Sequence, residues 1–161
     1  MELQIIKHSE LLLKDLLRAI SVKSVAWPHP VESQFKWIID NMQPGDMHVF
    51  LCDKGIDKAY MTLTPVEGVV DGQKMSFWGV GCVCAAERGK GLGTTLIRKV
   101  NDYLISNSIP GILLCKRDLV PFYHKNNWRE IPNQTELSDT IHVMVLGTGI
   151  NAPLQKINRV F

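Results

Sequence analysis

A glycine-rich stretch in the middle of the chain is the first feature whose residue types could do chemistry. Gly89, Gly91 and Gly93 fall within five residues, interleaved with Lys90, preceded by Arg88 and followed by an apolar-striped helical pattern. A glycine inside a helix costs about 1 kcal/mol relative to alanine, so three of them at the start of one need a reason. Backbone amides at a helix N-terminus lack intrahelical acceptors and bind anions. The stretch therefore predicts a site for a phosphate or pyrophosphate group.

Two common phosphate-binding motifs do not fit this stretch. A P-loop, G-x-x-x-x-G-K-[ST], would need glycine at the position of Cys84 and Ser or Thr at the position of Gly91. A dinucleotide fingerprint, G-x-G-x-x-G, would need glycine at the position of Thr94. The remaining alternative is a tight strand-to-helix turn without a ligand, for which one glycine would be enough.

The sequence VCAAERGKGLGTTLI, residues 83–97, resembles the acyl-CoA-binding motif of the GNAT superfamily of N-acetyltransferases, [RQ]-x-x-G-x-[GA] after a hydrophobic strand. Arg88, Gly91 and Gly93 match that motif in register. The resemblance implies that backbone amides of this turn hold the pyrophosphate of coenzyme A. The cofactor-binding residues that it implies here are Arg88, Gly89, Lys90, Gly91, Leu92, Gly93 and Thr94.

A second segment, PFYHKNNW at residues 121–128, is similar to a later motif of the same superfamily. In that motif a tyrosine on a short helix precedes Gly-Phe by four and five residues, so Tyr123 aligns with the tyrosine and Trp128 with the aromatic residue. Asn127 replaces the usual glycine, and asparagine is the next most tolerant residue for a left-handed helix end. The resemblance implies that Tyr123 is a catalytic general acid, and the alternative is a tyrosine packed beside Phe122.

The resemblance also implies a fourth strand that splays at a bulge, here SFWGVGCVC at residues 76–84. Gly79 and Gly81 suit a bulge or a close backbone approach, or they merely relieve packing. In the superfamily the main chain at this point pairs with pantetheine and donates N–H to the thioester oxygen. We therefore expect the main chain of Cys82 and Val83 to bind acetyl-CoA.

The implied activity is acetyl-CoA-dependent N-acetylation of a primary amine of a small molecule or peptide, by direct attack of the amine on the thioester. An alkyl amine with a pKa near 10.4 must first lose a proton, at a cost of roughly 4–5 kcal/mol at pH 7. A base or proton wire must take that proton. The base stays open among Glu67, Asp71, Asp118, His124 and water. The alternative function is a non-catalytic acyl-CoA-binding or sensing module with the same fold.

The superfamily builds the acceptor pocket partly from the loop between the first two helices and partly from the fourth strand. Trp27, His29 and Trp78 are therefore candidate substrate-binding residues, although a core position for Trp78 is equally open. The sequence has no strongly acidic cluster, so a polycationic acceptor is not indicated. Small amines, amino acids and protein termini stay open as acceptors.

The elements that must position these residues form a mixed α/β pattern. Strands are predicted at 3–7, 47–52, 58–66, 74–84, 112–116, 128–131 and 141–146, and helices after Ser9, from Pro30, at 92–105 and at 119–126. The helix after Ser9 is predicted to bury a stripe formed by Leu12, Leu13, Leu16, Leu17 and Ile20. Residues 21–30 are predicted to be a loop, and the last fifteen residues carry no assignment. We expect one GNAT-like acetyltransferase domain over 1–161, with a mixed, mostly antiparallel central sheet that splays at the fourth strand and is flanked by helices.

Composition narrows the range of partners. The chain has 161 residues, 45% of them apolar, and a net charge of +2 without a basic run, so nucleic acid is not an expected partner. It shows neither a signal-peptide pattern nor an apolar run long enough to span a membrane, so we expect a cytoplasmic protein. The four cysteines lie in or beside apolar runs without finger-like spacing, so no metal cofactor is expected. The oligomeric state, a homodimer included, stays open.

Overall fold

The computed structural model describes residues 1–161 and contains eight strands and four α-helices. The strands are β1 (Glu2–Lys7), β2 (Met47–Asp53), β3 (Ile56–Val70), β4 (Gln73–Ala85), β5 (Gly111–Cys115), β6 (Arg129–Ile131), β7 (His142–Leu146) and β8 (Leu154–Ile157). The helices are α1 (Leu13–Ala26), α2 (Val31–Asn41), α3 (Leu92–Ser106) and α4 (Val120–His124), with short 3-10 turns at His8–Glu10 and Arg117–Leu119. No helix is both long enough and apolar enough to cross a membrane.

The strands form a sheet in the order β1-β2-β3-β4-β5-β7-β6, and β8 pairs with β3. The registers of β1 with β2, β2 with β3 and β5 with β7 are antiparallel, whereas β4 and β5 run parallel. Helix α3 lies between β4 and β5 in the chain, as a parallel pair requires a long crossover. The prediction of a mixed, mostly antiparallel α/β fold is confirmed.

Two tight turns connect β2, β3 and β4 into an antiparallel meander. Lys54 and Gly55 have φ values of 49° and 78°, and Asp71 and Gly72 have values of 52° and 73°. Two consecutive left-handed residues are typical of type I′ hairpin turns, whose twist matches that of the flanking strands. The local sequences DKGID and VDGQ therefore determine where each strand of the meander ends.

The chain divides into two compact units, which are Met1–Thr64 with Cys82–Lys99, and Pro65–Gly81 with Val100–Phe161. In the first unit, residues of α1 pack on the sheet in a cluster that contains Ala19, Val22, Phe50, Tyr60 and Cys84. In the second unit, side chains of β3, β4, β5, β6 and β7 form a separate cluster with the C-terminal segment. Its members are Val66, Val70, Phe77, Ile112, Ile131, Val143, Val145, Ile150 and Leu154. The expectation of one domain over 1–161 stays a prediction.

Helix α1 differs from its prediction in both its limits and its buried face. It begins at Leu13 instead of after Ser9, because the Leu12 amide donates to the Asp15 carboxylate at 3.3 Å and caps the helix there. It continues through residues 21–26, so the predicted loop at 21–30 is wrong over that part. Leu12, Leu13 and Leu17 are exposed, whereas the face that contains Ala19 is buried.

Candidate active site

The glycine turn between β4 and α3 is open to solvent. Gly89 and Gly91 have φ values of 74° and 70°, a left-handed conformation that side chains rarely adopt. A Cβ built on either residue would meet no atom within 4 Å. Glycine is therefore needed there for the backbone conformation and not for packing, and the space in front of the turn is free. The side chains of Arg88 and Lys90 are also exposed.

The N-terminus of α3 presents unpaired amides at this turn. The first helical hydrogen bond runs from the Thr95 amide to the Gly91 carbonyl at 3.0 Å, and the Thr95 hydroxyl donates to the same oxygen at 3.1 Å. The amides of Leu92, Gly93 and Thr94 precede that bond and have no acceptor within the helix. The helix dipole adds partial positive charge at the same end. The arrangement has the chemistry of an anion site.

Cys82 on β4 is a non-glycine residue in the left-handed region, with a φ of 52°. The parallel register of β4 with β5 ends at Val80–Leu113, although β4 itself continues to Ala85. The left-handed residue of this strand is therefore Cys82, which directly follows Gly81. At Gly79 a Cβ would come within 2.9 Å of the Phe161 ring, so that glycine permits a close approach.

A cavity of about 500 Å³ lies in the first unit, and Cys82 is part of its wall. Its aromatic lining is Trp27, His29 and Trp37, and its polar lining is Lys23, Ser33 and Gln34. Two of the predicted substrate-binding residues, Trp27 and His29, therefore line one cavity together. The other four side chains were not predicted from the sequence.

Trp78, the third predicted substrate-binding residue, does not line this cavity. It is a half-buried residue of β4 whose backbone amide donates to the Pro110 carbonyl at 2.9 Å. It also pairs with Gly111 in the parallel register. Its role in substrate binding stays a prediction.

The loop wall of the cavity is held by hydrogen bonds to its backbone. The Gln34 side-chain amide donates to the Trp27 carbonyl, and Gln34 is 4% exposed. The His29 amide donates to the same Trp27 carbonyl at 2.8 Å. Because α2 thus fixes the residues that follow α1, the two aromatic side chains have a rigid support.

Lys23 is the buried cation of the cavity. Only 5% of it is exposed, and its Nζ lies 4.1 Å from the centroid of the Trp37 ring. None of the ion pairs of the structure includes Lys23. Burial lowers the pKa of Lys23, and the nearby Cys82 and Cys84 thiols oppose that shift. Lys23 was not predicted from the sequence. Its spacing of four residues from Ala19 could have indicated a lysine on the buried face of a helix.

A chain of hydrogen bonds connects His8, His48 and Tyr60 in the first unit. His48 Nδ1 lies 2.7 Å from the Tyr60 hydroxyl, and His48 Nε2 lies 3.0 Å from His8 Nδ1. His48 is fully buried. Burial lowers its pKa to about 4, with further lowering by the charges of His8 and Lys23. The imidazole is therefore neutral at pH 7. No sequence motif indicated these hydrogen bonds among His8, His48 and Tyr60.

Tyr123 belongs to the second unit and is buried, with 6% exposed. Its ring centroid lies 5.0 Å from that of Phe122 and 6.3 Å from that of Trp128. Burial raises the pKa of Tyr123, with a smaller contribution from Cys115, so the phenol keeps its proton at pH 7. Asn127 has a φ of 67°, which confirms the left-handed helix end predicted for it.

The four side chains considered as the general base do not line the cavity. Glu67 accepts a hydrogen bond from the Ser76 hydroxyl at 2.7 Å, and Asp71 lies in the turn between β3 and β4. Asp118 and His124 are exposed residues of the 3-10 turn and of α4. Their roles as bases stay untested.

Comparison with solved structures identifies the fold. An acyl-CoA N-acyltransferase from Pseudomonas aeruginosa aligns with a TM-score of 0.64 and 17% identity over 91% of this chain and 100% of that one. A GNAT family acetyltransferase from Brucella melitensis, in complex with acetyl-CoA, aligns with a TM-score of 0.61 and 15% identity over 99% and 96%. The GNAT family N-acetyltransferase YhbS from Escherichia coli, in complex with CoA, gives 0.60 and 14% over 96% and 89%. No protein-family model and no curated protein sequence matches the chain.

Proposed function

The chain has the GNAT fold, and we propose that it is an acetyl-CoA-dependent N-acetyltransferase that acts on a primary amine of a small molecule or peptide. The observation that carries the proposal is the open glycine turn at the N-terminus of α3, with its left-handed Gly89 and Gly91. Two proteins of the same fold were solved with acetyl-CoA or CoA, which supports the same co-substrate here.

In the proposed reaction, the turn from Arg88 to Thr94 binds the pyrophosphate through its amides and two cationic side chains. The main chain of Cys82 and Val83 binds the acetylated end and donates N–H to the thioester oxygen as negative charge develops on it. The acceptor nitrogen forms a bond to the acetyl carbon, the carbon–sulfur bond breaks, and Tyr123 gives a proton to the leaving thiolate. We assign the proton of the acceptor amine to water, since the cavity lining includes no carboxylate.

The second candidate function is a non-catalytic acyl-CoA-binding module. One observation favours it: the cavity lining contains the cation Lys23 but no carboxylate that could act as the base. In an enzyme, proton removal would then depend on water.

The two functions differ in thiol release. The protein is incubated with acetyl-CoA and a panel of primary amines while free thiol is monitored, and CoA binding is measured separately by calorimetry. Release above the amine-free background supports the enzyme. CoA binding without release for any amine supports the binding module, and absence of CoA binding contradicts both.

A further inference from the structure

The charge of Lys23 has no partner in the protein. The side chain is almost fully buried and forms none of the ion pairs of the structure. Its contact with the Trp37 ring is a cation–π interaction, which compensates only part of the lost hydration of an ammonium group. Buried charges in proteins are normally paired, so an unpaired ammonium beside a cavity indicates that a ligand supplies the anion.

The other walls of the cavity limit what that ligand can be. The indoles of Trp27 and Trp37 and the imidazole of His29 offer flat surfaces for an apolar or aromatic group. Ser33 and Gln34 add neutral polar atoms. One ammonium group matches the single charge of a carboxylate, whereas a phosphate dianion would need further cationic or amide donors.

On the basis of the proposed function, we propose that Lys23 binds a carboxylate of the acceptor, so that the acceptors are amino carboxylates with an apolar or aromatic group. The same charge disfavours acceptors with several ammonium groups, because like charges repel. It also favours the neutral form of the acceptor amine, which is the form that can attack a thioester.

The binding test uses ligands that lack an amine and cannot react. Titrations of the full chain with 3-phenylpropionate and with 3-phenylpropionamide, followed by calorimetry, compare a carboxylate with its neutral counterpart of similar shape. We expect the carboxylate to bind about tenfold more tightly or better, as a charge-assisted contact implies. Equal affinities for the two ligands, or no binding of the carboxylate, would overturn the inference without any variant being needed.

The variant test removes only the charge. Lys23→Met keeps an unbranched apolar side chain, and we expect it to bind the carboxylate and the amide with equal affinity while CoA affinity stays unchanged. The matched control is Lys36→Met on α2, where the lysine is exposed and paired with Asp40 at 2.6 Å. This control should keep the preference of the unmodified chain. A preference that survives in Lys23→Met would show that another group binds the carboxylate.

Turnover separates this inference from the proposed function. With acetyl-CoA present, phenylalanine and phenylalaninamide are compared as acceptors by thiol release at equal concentrations of the neutral amine, and we expect the higher kcat/KM for phenylalanine. Carboxylate binding that depends on Lys23, without thiol release from any amine, would contradict the enzyme and leave the anion site standing. Release that is equal for both acceptors would support the enzyme and contradict the anion site.

Discussion

Lys23 occupies a position on α1 where the neighbouring helical turns carry buried apolar side chains. Leu16, Ala19 and Ile20 precede it by seven, four and three residues, the spacing of one helical face, and all three are buried. A lysine is rarely so buried without a partner. The Trp37 ring and the cavity are what make the position tolerable in the folded chain. The charge of the cavity therefore comes from Lys23, the one charged side chain at this position of an otherwise apolar helical face.

Tyr123→Phe tests the catalytic role of one hydroxyl. Because the ring contacts with Phe122 and Trp128 would survive this change, folding and CoA affinity should stay close to those of the unmodified chain. Loss of a general acid should lower kcat by about 100-fold. Thiol-release kinetics and CoA calorimetry measure the two quantities. A matched fall in kcat and in CoA affinity would indicate a packing role for Tyr123 instead.

At the scale of the element, the glycine turn and α3 together form the proposed pyrophosphate site. The left-handed glycines turn the chain so that the amides of the first helical turn point outward, and the fifteen-residue helix behind them supplies the dipole. Each amide contact is weak alone, about 0.3–1 kcal/mol when exposed, so several must act together on one diphosphate. Binding therefore depends on the backbone geometry of the whole turn.

Gly91→Ala changes that geometry at one point. The left-handed backbone costs a side chain about 1–2 kcal/mol, and the added Cβ projects into the open space in front of the turn. We expect CoA affinity to fall about tenfold, because displaced amides lose part of their contact with the diphosphate. Calorimetry with CoA measures the change.

Gly72→Ala is the matched control for this change. Gly72 has a φ of 73° and equally open surroundings, but it lies in the hairpin turn between β3 and β4. Both variants should lose similar unfolding free energy, whereas Gly72→Ala should bind CoA normally. Normal CoA binding by Gly91→Ala would contradict the assignment of the pyrophosphate site.

At the scale of the whole molecule, stability depends on a histidine that folding keeps neutral. His48 is buried in the first unit and is hydrogen-bonded to Tyr60 and His8. Its folded pKa is about 4, whereas its ordinary value is 6.5. Between these pH values the unfolded chain binds the extra proton, so the free energy of unfolding falls as the pH drops from 6.5 towards 4.

This linkage predicts acid sensitivity in a defined range. From pH 7 to pH 5 the chain should lose about 2 kcal/mol of unfolding free energy through His48 alone. Urea unfolding at a series of pH values measures this loss. His48→Gln, which keeps a neutral hydrogen-bonding side chain, should show a flatter pH profile over that range, whereas the exposed His124→Gln should match the unmodified chain. An unchanged profile in His48→Gln would assign the acid sensitivity to other groups.

Most of the strand order followed from local features of the sequence. Left-handed turn residues at Lys54–Gly55 and Asp71–Gly72 end the strands of the meander, and Asn127 adopts the backbone predicted from its type. The helix between β4 and β5 determines their parallel pairing. These features depend on residues close together in the chain, so sequence analysis could find them.

The structure differs from the sequence-based predictions, or adds to them, where residues distant in the chain pack together. The stripe predicted for the first helix was wrong in part, because packing buried Leu16 and Ile20 together with Ala19 and Val22 and left Leu12, Leu13 and Leu17 exposed. Gly79 and Gly81 suited a bulge or a close approach, and the structure has Gly79 against the Phe161 ring and a left-handed Cys82. The unassigned C-terminal segment forms β8 on β3.

The sequence by itself determined the glycine turn, the helix that follows it, the meander and the motif around Tyr123, because turn chemistry, capping and hydrophobic period act over a few residues. Only the tertiary structure decided that Lys23 and Trp37 line the same cavity as Trp27 and His29 and that Lys23 has no partner there. Such a cavity joins residues of two helices, the loop between them and one strand, which the chain separates by up to about sixty positions. The net charge of the cavity depends on every group that packs around it, and a local sequence pattern does not show which groups those are.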